Sequence, residues 1–132
     1  MRTRYDDPDH PNDSDQSYYP DEVEQSLRQY GRRPVEHFAD LGILGRNLTL
    51  IRMIHVDDAE MRLLAESGAC VVDCPSASIK HAKGAGQLAR YPEMLQAGIP
   101  VALGSDSPNW SNAFDVAHHA YLAAVIYRDA RR

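Results

Sequence analysis

Gly98-Ile99-Pro100-Val101-Ala102-Leu103-Gly104-Ser105-Asp106 is the stretch that decides how this chain reads. Its apolar centre predicts a buried strand, and Gly-Ser-Asp predicts a turn that lifts one carboxylate at the strand's C-terminal tip. Cys70-Val71-Val72-Asp73-Cys74-Pro75-Ser76-Ala77-Ser78 repeats the layout, an apolar strand followed by small and polar turn residues. A segment of helical character follows each of them. Strands alternating with helices imply a parallel sheet with right-handed crossovers. In closed (β/α) barrels the C-terminal ends of the strands carry the chemistry.

The flanking sequence extends the pattern in both directions. Residues 48–56 predict an earlier strand, after a turn at Gly45-Arg46-Asn47. Asp57 is placed to N-cap a helix over 57–67, with Met61, Leu64 and Ala65 facing inward and Gly68 as the stop. A strand over 69–74 and a basic, glycine-bearing loop over 75–86 come next. A helix is expected over 87–97, with Pro92 near its start or at a kink. The strand over 101–104 then leads into a loop over 105–111. A last helix is expected over 112–131, with Phe114, Ala117, Tyr121, Ala124, Val125 and Arg128 at helical spacing.

Upstream, Asp21 reads as an N-cap with Glu24 closing a weak capping box. Val23, Leu27 and Tyr30 mark one face of that helix, and Gly31 ends it. Pro34 opens a second short helix whose apolar side is Val35, Phe38, Ala39 and Leu41, closed by Gly42. Residues 1–20 hold prolines and acidic or amide side chains with almost no aliphatic ones, so they read as a disordered lead-in to a unit over 21–132.

At 132 residues the chain is one domain's worth of sequence. A full barrel typically takes about 250 residues, so three strands with their helices amount to its last third to half. The expected fold class is therefore α/β, a partial barrel of three parallel strands. Formal net charge is −5 and no Lys/Arg run exceeds two residues, which argues against nucleic-acid and anionic-membrane partners. No apolar run approaches the ~20 residues of a membrane span, and no signal-peptide core follows Met1, so a cytoplasmic location is expected. Cys70 and Cys74 read as buried small hydrophobes on one face of an extended segment, not as a disulfide framework.

Several motifs, in order and at consistent spacing, resemble the metal-dependent amidohydrolase superfamily. They are Val56-Asp57-Asp58-Ala59-Glu60, Leu63-Leu64-Ala65-Glu66-Ser67-Gly68, Cys74-Pro75-Ser76, Ala97-Gly98 and Leu103-Gly104-Ser105-Asp106. The nearest branch by these motifs contains the cytosine, guanine and S-adenosylhomocysteine deaminases and the triazine chlorohydrolases. The resemblance implies that the strands here are the sixth, seventh and eighth of the barrel. It also implies a divalent metal, zinc or iron, that activates a water against C–N or C–Cl bonds of small heterocyclic substrates. Asp106 matches the family's metal-binding and proton-accepting carboxylate, and Asn109 and Trp110 lie in the loop that contacts substrate in relatives.

The chain departs from the family's pattern elsewhere. Asp15-Gln16-Ser17-Tyr18 stands where the resemblance implies His-x-x-Glu, and the nearby His10 and Asp13 fall several residues too early. Arg52 stands where a catalytic His is implied, three residues before His55. A guanidinium does not titrate near neutral pH and repels a metal, so its favourable role is a salt bridge with Asp106 or Asp73. His55 reads as a strand-end histidine. His118 and His119, adjacent on a helix, cannot clamp one ion and read as one solvated and one buried ring. Lys80, His81 and Lys83 read as solvated loop charge. The chain alone is expected not to be a competent catalyst. The alternative is a non-catalytic assembly piece whose exposed strand edges complete a barrel with a complementing chain or form a homo-oligomer.

Overall fold

The computed structural model describes residues 19–112 and 114–131. Most of the lead-in, with His10, Asp13 and the Asp15–Tyr18 segment, lies outside the described residues. The elements run α1 (Pro20–Tyr30), α2 (Pro34–Asp40), β1 (Thr49–Ile51), α3 (Asp58–Ser67), β2 (Cys70–Asp73), α4 (Pro75–Lys80), α5 (Ala85–Leu88), α6 (Tyr91–Gln96), β3 (Val101–Leu103), α7 (Pro108–Ser111) and α8 (Val116–Asp129). The strands form one parallel sheet in the order β1-β2-β3. Leu50, Val71 and Val101 share one register position, and Ile51, Val72 and Ala102 share the next.

Side chains alternate across a strand, so those two rows face opposite ways. Leu50 and Val71 are fully buried against the helix layer, in a core that includes Met53, Ile54, Leu64, Met94 and Ile99. Ile51 and Val72 on the other face are only half-buried, and Ala102 is exposed. Among the described residues, no strand pairs with the outer edges of β1 and β3.

Asp57 caps α3 as its position predicts. Its carboxylate accepts the Ala59 and Glu60 N–H groups at 2.9 Å each. Gly68 then ends the helix in the left-handed conformation at φ +72°. Both are local chemistry and needed no tertiary contact to be read.

The structure differs from expectation where context overrides local pattern. The first strand stops at Ile51 because Arg52 takes φ +56°, although Met53, Ile54 and Val56 remain buried. The expected loop over 75–86 holds α4 and the start of α5, since Pro75 is preset for a first helical turn. The expected helix over 87–97 is broken at Ala89, whose backbone is extended, and it restarts with Pro92 in the first turn of α6. The loop over 105–111 contains α7. The first helix starts at Pro20 rather than being capped by Asp21, and the Tyr19 N–H donates to Glu22, not Glu24, at 3.0 Å.

Leu27 faces solvent, and Ser26 joins Val23 as the buried side of α1. The last helix begins at Val116, behind an Asp115 cap. Its buried side chains are His119 and Tyr127, whereas Phe114, Tyr121 and Val125 are 69%, 66% and 47% exposed. The residues noted at helical spacing lie on the outer face. Two polar rings made the true inner face look hydrophilic.

Candidate functional site at the strand tips

The backbone carries Arg52 and Asp106 to the same end of the sheet. The Arg52 N–H donates to Val72 O at 2.8 Å, which extends the β1–β2 ladder one residue beyond β1. The chain then turns sharply, with Ile54 N–H donating to Arg52 O at 2.9 Å. On the far side of β2, Gly104 N–H donates to Asp73 O at 2.8 Å, and Asp106 follows at φ +59°. Left-handed backbone at two non-glycine residues is costly and persists only when surrounding structure holds it.

The two side chains meet in an ion pair. Arg52 Nη1 lies 2.7 Å from Asp106 Oδ2, with side-chain exposures of 16% and 19%. Oδ1 accepts the Ser107 N–H, also at 2.7 Å. Of the two carboxylates open to Arg52 in the sequence reading, the structure selects Asp106.

Asp73 instead points into the helix layer. It is 1% exposed, and its Oδ2 accepts the Tyr127 hydroxyl at 2.9 Å. Burial pushes its carboxyl up to about 7. Burial likewise raises the Tyr127 phenol.

Cys74 ends β2 between the two partners and is 3% exposed. Burial, reinforced by the Asp106 charge, pushes its thiol up to about 11, so it stays protonated and a poor nucleophile. Gly104 packs close beside it, where a Cβ would meet Val72 Cγ1 at 3.0 Å and Cys74 Sγ at 3.1 Å and the neighbours would have to give way. Cys70 and Cys74 are both free thiols.

His55 is half-buried, and its carbonyl accepts from Arg33 Nη2 at 2.7 Å. Burial first, then the Arg33 and Lys83 charges, hold its imidazole below the ordinary value. Asn109 is exposed, in contact with the Ser107 hydroxyl through its side chain and accepting Lys80 Nζ at its carbonyl, 3.0 Å. The Trp110 ring packs on His81, centroids 4.0 Å apart at 48°. Lys83 Nζ sits 3.1 Å over the Tyr19 ring. His118 is exposed and His119 fully buried, with Nδ1 3.3 Å from Ser76 Oγ.

Sequence reasoning missed Glu60. It is fully buried between α2 and α3, 2.8 Å from Arg33 Nε, and it accepts the Val35 N–H at 3.0 Å. The Asp57-x-x-Glu60 capping box could have flagged it, since its carboxylate also takes the Asp57 N–H at 3.3 Å.

The residues present do not fit a divalent metal. Among the described residues no three His, Cys, Asp or Glu side chains converge on one point. The tip carboxylate already has both oxygens engaged, one by a fixed cation.

The fold and site define a class, parallel β/α with a carboxylate at the tip of its final strand. Comparison with known proteins makes the class specific. The chain is 38% identical over 117 residues to a 5-methylthioadenosine/S-adenosylhomocysteine deaminase of Halobacterium salinarum, covering 89% of this chain and 25% of that protein. It is 32% identical over 108 residues to a 5'-deoxyadenosine deaminase of Methanopyrus kandleri, covering 82% and 24%. Among solved structures, it superposes with a TM-score of 0.77 and 28% identity on an adenosine deaminase from Xanthomonas campestris with bound zinc, covering 89% of this chain and 26% of that one. Atrazine chlorohydrolase from Arthrobacter aurescens, complexed with zinc, shares the fold at a TM-score of 0.77 and 23% identity, over 86% and 24%. No protein-family model matches. Over most of its length the chain is similar to part of these metal-dependent amidohydrolase-type proteins, and it spans about a quarter of the length of the relatives it matches.

Proposed function

We propose that this chain forms the closing strands of an amidohydrolase-type barrel and is not a competent catalyst by itself. Its lineage is one of hydrolysis or deamination at C–N, or C–Cl, bonds of small cyclic substrates. In this reading Asp106 is the carboxylate at the reacting end, and Asn109 and Trp110 belong to the loop that would line a substrate pocket. The observation that carries it is the set of groups at the strand tips. Asp106 is a single carboxylate already paired with Arg52, His55 carries an imidazole held below its ordinary pKa by burial, and Cys74 is buried and protonated.

The relatives' names supply the test substrates. S-adenosylhomocysteine, 5-methylthioadenosine and guanine are each incubated with the purified chain, with and without added zinc, and ammonia is measured. No release above buffer is expected. Turnover that disappears in Asp106→Asn would overturn the reading.

A second reading is favoured by the open strand edges and by the exposed apolar face of α8. Unpaired edges are templates for further pairing. As an assembly piece, the chain would sediment as a dimer or with a complementing barrel segment. A monodisperse monomer that ignores such a segment would remove this reading.

A further inference from the structure

We propose that the Arg52 guanidinium is the resident cation of this site, occupying at Asp106 the place that a divalent metal takes in zinc-bound relatives. The proposal rests on the reading above only in taking the strand tips as the site. Arg52 and Asp106 come from strands two apart, and neighbouring strands lie about 4.8 Å from one another, so the two backbones are separated by roughly 10 Å. A shorter side chain at position 52 would leave more of that gap open. Arginine is long enough to close it, and Nη1 reaches Oδ2 at 2.7 Å.

The geometry is specific to that closure. Both residues hold positive φ, +56° and +59°, at the point where each chain leaves its strand. The second carboxylate oxygen is taken by the Ser107 N–H, so Asp106 has no oxygen left without a donor. A metal at Oδ2 would need a ligand bond of about 2.0–2.2 Å, in the space where the guanidinium lies and against its charge. Arginine cannot give up its proton to make room.

The test compares wild type, Arg52→Gly, Asp106→Asn and the double variant. Glycine suits the left-handed backbone at 52, so that variant is expected to fold. Each protein is dialysed against zinc chloride and assayed for bound zinc, for its urea-unfolding equilibrium and for ammonia release from S-adenosylhomocysteine. Wild type is expected to retain no stoichiometric zinc. Arg52→Gly is expected to lower the folding equilibrium constant roughly tenfold or more, but by less than about threefold when Asp106 is already Asn.

One zinc per wild-type chain, lost in Asp106→Asn, would overturn the proposal, as would equal Arg52→Gly effects in both backgrounds. Zinc bound without ammonia release would sink this inference and leave the proposed function standing. Ammonia release without zinc would do the reverse.

Discussion

At the scale of single residues, the strand tips turn on the chemistry of one side chain, Arg52. An imidazole can exchange protons near neutral pH, and a guanidinium cannot. Arg52 opposite Asp106 therefore makes a fixed ion pair of 2.7 Å rather than a titrating one. The sequence allowed that pairing to be foreseen, but it left Asp73 as an equal candidate. Only the pleat decides between them, because Asp73 falls on the row that faces the helices.

Asp73 has its own consequence. Its carboxyl sits at about 7 in the folded chain and near 3.8 when unfolded, so the folded state keeps a proton that the unfolded state has lost. Stability is thus greatest at low pH as far as this group goes, and it falls as pH rises from about 4 to about 7. Between pH 5 and 7 the loss is ~2 kcal/mol. Asp73→Asn keeps an acceptor for Tyr127 and is expected to flatten that slope in urea midpoints taken across the window. A slope unchanged in the variant would assign the dependence to another group.

At the scale of elements, short-range chemistry was legible and long-range packing was not. The Asp57 cap and the Gly68 stop are properties of a few adjacent residues, and both appear where sequence places them. Arg52 ends β1 early through its backbone angle, which no periodicity reports. For α8 the spacing of apolar residues marked a helix but not its inner face, which Tyr127 and His119 fill. The core side of a helix is set by what it meets, and here it meets Asp73 and Ser76.

Three substitutions separate these cases. Gly104→Ala drives a Cβ into Val72 and Cys74 and is expected to cost about 1–3 kcal/mol in chemical denaturation. Glu60→Ala removes the buried partner of Arg33 and the acceptor of Val35, for an expected loss of about 3 kcal/mol. Tyr121→Ser on α8 is expected to change stability by less than about 0.5 kcal/mol, since that ring is mostly in solvent. A large loss for Tyr121→Ser would mean the exposed face is covered in solution, which favours the assembly reading.

At the scale of the whole molecule, three parallel strands with one helix-covered face account for a quarter of the matched relatives' length. Order and direction of the strands were readable because strand, helix and turn signals alternated along the chain. The tip carboxylate was readable because it ends an apolar strand at a Gly-Ser turn. The contribution of residues outside these elements was not, since the loops of a barrel site come from all of its strands.

The account stands or falls on that parallel arrangement, and amide-proton nuclear Overhauser contacts in the isotope-labelled chain test it most directly. Contacts joining Thr49 with Cys70, Leu50 with Val71 and Val72 with Ala102 in the parallel pattern are predicted, with the Arg52 amide protected by Val72. Antiparallel α-proton pairs between any two of these strands, or a freely exchanging Arg52 amide, would contradict it.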